Sequence, residues 1–363
     1  MRYIDSLVIN DKLFTYKDIK NKNYSNLSEY ELNTLDFCYE WLNGKTEFII
    51  NTSGSTGNPK PIKLSRDLMI KSAELTGEFL KLKPKDKILI VLPTQFIAGL
   101  MMIVRAFVLE LEMYIYNPSS NPLENIKLLD FSLTSFVPLQ IYEILKNNPN
   151  RLKILESIKN ILIGGAPINS NIENAIINLN NNIYHTYGMT ETISHIALRK
   201  INGSSRSEYF TTLKETKIDL DARNCLTINS PITSYNTIIT NDIAELINSF
   251  QFKILGRFDN IINSGGVKIQ LEKVEKAISN ILFDLNINES FFAYGLDDEK
   301  LNQKLVLFFE SKEFSSRILE KLKYKMNNTL NKYEIPKEIF FLEKFIYTPT
   351  NKIDKKKTLS KYS

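Results

Sequence analysis

Apolar runs of four to six residues alternate with longer helical patterns through the first half of this chain, and that alternation restricts the fold more than any other feature. EFIIN (Glu47 to Asn51), KILIVL (Lys87 to Leu92), MYIY (Met113 to Tyr116) and NILIGG (Asn160 to Gly165) read as strands. Leu68 to Leu82 and Gly99 to Leu111 read as helices, the second apolar on nearly every face and so predicted to be buried. A mostly parallel sheet requires this kind of alternation. Asn117 to Pro122 is a turn cluster, and Asn169 to Asn182 reads as a surface helix that ends in an Asn run. Ser204 to Ile218 is polar and weakly patterned, a loop or a β-ribbon.

The pattern changes near Gly256. After it come a Gly-Gly turn, a helix at Leu271 to Ile281, the strand-like KLVLFFE (Lys304 to Glu310) and a helix near Ser315 to Leu330. A boundary at Arg257 to Asn260 divides the chain into a large N-terminal α/β domain, 1–257, and a small C-terminal α+β domain, 258–363, the latter of a common domain size.

With 363 residues, 43% of them apolar and 24% charged, the chain has enough material for a substantial core. The net charge of +5 suits anionic small molecules, but no basic block with interleaved aromatics marks a nucleic-acid surface. Cys38 and Cys225 are far apart and in no metal-ligand spacing, which argues against a disulfide framework and fits a cytoplasmic protein. The N-terminus lacks the apolar region of a signal peptide, and no window approaches the ~18 apolar residues of a membrane span. Only His185 and His195 are available for histidine chemistry.

The strongest local signal follows the first strand: Thr52-Ser53-Gly54-Ser55-Thr56-Gly57-Asn58-Pro59-Lys60. Two glycines let the backbone bring N–H groups close to a ligand, and four hydroxyls and a lysine add donors suited to phosphate oxygens. It is not a Walker A loop, because Asn58 and Pro59 separate Gly57 from Lys60 and no hydroxyl follows the lysine. A Ser/Thr/Gly loop by itself is equally a plain turn.

The string resembles the phosphate loop of the ANL superfamily, which contains acyl-CoA synthetases, adenylation domains and luciferases, and further matches follow in the family's order. Gly164-Gly165-Ala166-Pro167 resembles the segment that flanks adenine; alone it is a strand-end turn. Tyr187-Gly188-Met189-Thr190-Glu191-Thr192 resembles the family's YGxTE motif. There the tyrosine lies against adenine, the threonine meets the α-phosphate and the glutamate helps hold Mg²⁺, a hard cation suited to carboxylate and phosphate oxygens. Asp242 resembles the aspartate that binds the ribose hydroxyls, although Asn241 stands where glycine is commoner. Gly256-Arg257-Phe258-Asp259 resembles the GRxD hinge, with Arg257 reaching ribose and Asp259 as the pivot. Gly265 and Gly266, in the run Asn263 to Ile269, resemble the loop that approaches the thiol of coenzyme A. Pro349 to Asp354 resembles the motif of the catalytic lysine, here Lys352, with Asn351 in place of the usual glycine.

The resemblance spans residues 52 to 354, with only 51 residues before the phosphate loop, so the N-terminal domain is truncated relative to typical members. It implies an AMP-forming acid–thiol ligase using ATP, Mg²⁺ and coenzyme A, with a carboxylic acid as substrate, no nucleic-acid partner and a possible homo-oligomeric state. Short members and the run Ser194 to Arg199 are similar to the 2-succinylbenzoate–CoA ligases of menaquinone biosynthesis. Other acyl- or aryl-CoA ligases, amino-acid adenylating enzymes and a non-catalytic nucleotide-binding homologue remain alternatives. Gln95, Arg105 and His195 are the substrate-pocket candidates. Arg105 binds a second carboxylate, or is a core arginine, or snorkels to the surface; His195 polarises the carboxylate or lines the wall.

Overall fold

The computed structural model describes residues 5–51, 61–124, 126, 130–147, 149–168, 170–348 and 353–362. The phosphate-loop string Thr52 to Lys60 and the lysine motif Pro349 to Lys352 lie outside the described residues.

Six parallel strands form one half of the main sheet, in the order Ser6–Ile9, Glu112–Ile115, Lys87–Ile90, Leu133–Phe136, Asn160–Ile163 and Asn182–Gly188. Asn160–Ile163 is buried along its whole length, as a parallel strand covered on both faces should be. The chain leaves Lys87–Ile90 through the buried helix Ile97–Val108 to reach Glu112–Ile115 on one side. It then crosses to Leu133–Phe136 on the other side. That reversal is a switch point, and in such sheets ligands bind beyond the carboxyl ends of the strands.

After Asn182–Gly188 the sheet becomes antiparallel, continuing through His195–Lys200, Phe210–Thr212, Gln251–Arg257, Ile238–Asn248, Cys225–Asn229 and Lys217–Leu220. Ser204 to Ile218 therefore contributes strand at Phe210–Thr212 and at the start of Lys217–Leu220. Glu47–Asn51 pairs antiparallel with Pro61–Ser65 in a separate ribbon, so residues 52–60 join two strands and not a strand and a helix.

The helix expected over Asn169 to Asn182 is shorter, Ser170–Ile176. The Asn run lies beyond its end. Asn181 Nδ2 donates to the carbonyls of Leu155 and Ile158, and Asn202 Nδ2 donates to those of Leu179 and Asn181.

The main sheet's last strand in sequence ends at Arg257, and a second sheet begins at Ile261. Its strands Val267–Gln270, Ile261–Ser264, Asn302–Glu310 and Phe291–Asp298 are antiparallel, and Glu338–Leu342 pairs parallel with Asn302–Glu310. Helices Leu271–Asp284 and Ser316–Thr329 pack a core of Val274, Ile278, Leu307, Phe309 and Leu322 on it. A second, aromatic cluster holds Phe292, Phe308 and Phe345, with Leu359 of the terminal helix Lys355–Tyr362 packed against it. Among the described residues no helix is long and apolar enough to cross a membrane.

Candidate active site

Tyr187 is the penultimate residue of the last parallel strand. Its ring packs against Phe252 and Phe210, with centroids 5.2 and 5.8 Å away, on strands of the antiparallel half. Those rings hold the phenol in place, and its hydroxyl donates to Asp242 Oδ2 at 2.6 Å. Asp242 stands opposite Arg257 in the register of two antiparallel strands, and the guanidinium donates to Asp242 Oδ1 at 3.2 Å. Arg257 also forks onto both oxygens of Asp259, at 2.8 Å each. The result is one chain of polar groups, Tyr187–Asp242–Arg257–Asp259, at the carboxyl edge of the parallel strands. Burial and the Asp242 carboxylate push the Tyr187 hydroxyl well up, so it remains a donor. The hydrogen bond from Arg257 holds the Asp259 carboxyl below its usual range.

Asn241 sits in the extended strand Ile238–Asn248 and is absent from the left-handed backbone positions, so no glycine geometry is needed there. It accepts a hydrogen bond from Arg223 at 2.9 Å, and Arg223 stacks over Phe258.

Gly164 to Pro167 leave the neighbouring strand at the same edge. A Cβ on Gly164 would lie 2.4 Å from Thr186 Oγ1, so only glycine permits this approach to the Tyr187 strand. His185 pairs in register with Ile163. Burial first, then the Arg199 charge, lower its pKa to about 3, opposed by a backbone hydrogen bond with Ala166. Arg199 is in turn ion-paired to Glu173.

Thr190 and Glu191 occupy a single 3₁₀ turn, Thr190–Thr192, that folds back so that His195 pairs with Gly188. Glu191 is exposed. The return is tight: a Cβ on Gly188 would lie 2.2 Å from the Ser194 carbonyl oxygen. An exposed carboxylate beside a hydroxyl suits Mg²⁺, which takes most of its ligands from phosphate and water. Among the described residues no cluster of three or more His, Cys, Asp or Glu could hold a metal on its own.

The substrate candidates divide. Gln95 is exposed on the loop after Lys87–Ile90. Arg105 and His195 are buried and meet each other, with Arg105 NH2 3.5 Å from His195 Nδ1 and 2.8 Å from Ser194 Oγ. Burial pushes the Arg105 guanidinium down to about 9, and burial together with that charge holds His195 far below its usual value. Gly265 and Gly266, with φ of 60° and 86°, form the turn between Ile261–Ser264 and Val267–Gln270. They line an open cavity of about 770 Å³ with residues 297–302, and Tyr187, Asp242 and Arg257 are not part of its lining.

Of the lysines near Lys352, Lys355 is bound to Glu275 at 2.8 Å and Lys357 to Asp354 at 3.2 Å. Sequence reasoning missed the Phe210 and Phe252 walls and the Thr76 contact to His195. Thr76 stands among Ser72, Glu74 and Glu78 in helix Arg66–Leu80, so nothing in the sequence singles it out.

The AMP-binding enzyme family matches residues 36–218. An acyl-CoA synthetase (AMP-forming)/AMP-acid ligase II-like protein from Dyadobacter fermentans is 38% identical, covering 95% of this chain and 97% of that one, with a TM-score of 0.63. The 2-succinylbenzoate–CoA ligase of Listeria monocytogenes is 26% identical over 94% of this chain and 75% of its own. The o-succinylbenzoate coenzyme A synthetase of Bacillus subtilis, solved with ATP and magnesium ion, shares the fold: TM-score 0.69, 21% identity, 86% of this chain and 69% of that one.

Proposed function

This chain belongs to the AMP-binding enzyme family and is an AMP-forming acid–CoA ligase, and from that premise we propose that it joins 2-succinylbenzoate to coenzyme A. In the first step the acid's carboxylate attacks the α-phosphorus of ATP, forming acyl-AMP and releasing pyrophosphate. In the second the thiol of coenzyme A displaces AMP to give the thioester.

The observation that carries the nucleotide part is the Tyr187–Asp242–Arg257 chain. A carboxylate offers about four acceptor sites. Asp242 uses one on Tyr187 and one on Arg257, which leaves acceptors for two vicinal ribose hydroxyls. Adenine lies between Tyr187 and the Gly164 to Pro167 segment. Thr190 donates to the α-phosphate, Glu191 with the phosphates holds Mg²⁺, and residues Thr52 to Lys60 cradle the remaining phosphates. Bound Mg²⁺ neutralises phosphate charge; the chain's own part is to orient the acid and exclude water.

Lys352 bridges the acid and the α-phosphate in the first step. This assignment rests on the family resemblance; of the neighbouring lysines, Lys355 and Lys357 are ion-paired elsewhere and Lys356 is exposed. Residues 258–363 form a mobile unit that pivots at Asp259, withdrawing Lys352 and bringing Gly265 and Gly266 to the thiol. Asp259 suits a pivot: it lies in the short turn between the two sheets, tied by Arg257 to the main one. The acid assignment is supported by the curated relatives, which share their named substrate while covering most of this chain. Acid-dependent ATP–pyrophosphate exchange tests it. Exchange is expected with 2-succinylbenzoate above benzoate, fatty acids and amino acids; exchange driven only by one of the others removes this acid.

A further inference from the structure

Ile193 is buried, β-branched, and held at φ 61°, ψ −48°. The Ser194 amide donates to the Thr192 carbonyl at 2.5 Å, which closes a γ-turn around Ile193. This hand of γ-turn is rare and strained, and a β-branched residue with positive φ is an outlier that persists only where its surroundings over-determine it.

The surroundings are polar and buried. Thr192 is fully buried; its hydroxyl accepts from the Met189 amide at 3.0 Å and lies 2.8 Å from the Ser194 carbonyl. Behind the turn, Arg105 donates to Ser194 Oγ at 2.8 Å. Arg105 is only 2% exposed, pairs with no carboxylate among the described residues, and its Nε has no partner there. A buried, unpaired guanidinium is costly, so an effect must maintain it. His195 faces it in one tautomer. Thr76 Oγ1 donates to the Ser72 carbonyl at 3.0 Å, so it accepts from His195 Nε2–H at 3.0 Å, leaving the Nδ1 lone pair toward Arg105. A neutral histidine with its only proton engaged is a support and not a proton carrier.

We propose that Arg105 is a positioning residue for adenylation: seated on neutral His195, it pins Ser194, keeps Ile193 in its γ-turn, and so sets the position of Thr190 and Glu191. The strain explains the expense of the buried cation. Without the Arg105–Ser194 bond, Ile193 relaxes toward ordinary backbone and the turn bearing Thr190 and Glu191 moves with it. The proposal rests on the reading that these two residues serve the nucleotide.

The test is a double-mutant cycle between Arg105→Met and Ile193→Gly, with Arg105→Lys and the milder Ser194→Ala alongside. Two readouts are taken on the full chain. Hydrogen exchange of residues 189–195 reports the turn, and ATP–pyrophosphate exchange reports adenylation. Glycine adopts positive φ without cost, so the turn in Ile193→Gly needs no pin. Arg105→Met is expected to lower kcat about tenfold or more and to expose the Ser194 amide, with KM for the acid changed less than about twofold. Arg105→Lys recovers part of the loss. In the Ile193→Gly background the same Arg105→Met change costs no more than about threefold. Ser194→Ala shows the same coupling if Arg105→Met does not fold. Equal losses in both backgrounds, or a rise in acid KM alone, overturn the proposal; the second outcome makes Arg105 a substrate anchor. Coupled hydrogen exchange in a protein that exchanges pyrophosphate with no acid upholds the pin and overturns the ligase reading instead.

Discussion

The Tyr187 hydroxyl and the Asp242 carboxylate, 55 residues apart in the chain, meet at 2.6 Å where the parallel half of the sheet gives way to the antiparallel half. The phenol comes from the last parallel strand and the carboxylate from an antiparallel strand four places further across. Neither half alone makes the site, because the phenol and the carboxylate come from different halves of the sheet. Phe210 and Phe252 fill the space beneath, so the phenol cannot swing inward.

Replacing Asp242 with Asn keeps the shape and removes the charge that receives Tyr187 and Arg257. Hydrogen bonds to charged groups contribute about 1.5–3 kcal/mol each. Asp242→Asn is expected to raise KM for ATP by at least about tenfold in pyrophosphate exchange, while Tyr187→Phe, which leaves the ring, costs less. An unchanged KM in Asp242→Asn would remove this residue from the nucleotide site.

Gly188→Ala puts a methyl group 2.2 Å from the Ser194 carbonyl oxygen and 2.5 Å from the His195 Cα, both backbone atoms that cannot rotate away. Overpacking of this kind costs about 1–3 kcal/mol. The variant is expected to unfold at a lower temperature and to lose most exchange activity, since the carbonyl it strikes belongs to the turn bearing Thr190 and Glu191. Wild-type melting and activity would show that the turn yields freely.

Acid stability follows from the histidines. His185 titrates near its usual 6.5 in the unfolded chain and at about 3 in the folded one. Between those values the unfolded state binds the extra proton, so stability is full above about pH 6.5 and falls as the pH drops toward 3. His195, lowered by burial and by Arg105, adds in the same direction. Melting temperatures across this range should rise with pH, and His185→Gln should flatten the slope. An unaltered slope would mean that His185 protonates inside the fold.

Much of the fold was legible because the parallel strands announce themselves: NILI and KILI are apolar runs bounded by turn residues, whatever lies around them. The antiparallel half was harder. Phe210–Thr212 is three residues long, two of them polar, and its identity as a strand depends on partners at His195–Lys200 and Gln251–Arg257. Asn181 looks like the end of a helix in sequence, yet it acts by reaching the carbonyls of Leu155 and Ile158, more than 20 residues away. In the site, Tyr187, Asp242, Arg257 and Asp259 were readable as motif residues, and the structure joins these four. Whether Asn241 could replace glycine was not readable, because that depends on a backbone angle. The same holds for Ile193, whose residue type argues against the conformation it adopts.

Lys352→Ala separates the half-reactions. Acid-dependent pyrophosphate exchange is expected to fall by at least about a hundredfold, since the role proposed for the lysine is that of a preorganised positive charge at the reacting phosphate. Thioester formation from supplied acyl-AMP and coenzyme A should remain within about threefold of wild type. Equal loss of both steps would contradict a pivot at Asp259 that withdraws the lysine between them.

The most direct measurement is a crystal structure with ATP and 2-succinylbenzoate, or with their acyl-AMP. Both ribose hydroxyls are expected within hydrogen-bonding distance of the Asp242 carboxylate, with adenine between Tyr187 and Gly164 to Pro167. Nucleotide bound elsewhere, with Asp242 still held only by Tyr187 and Arg257, would contradict the assignment.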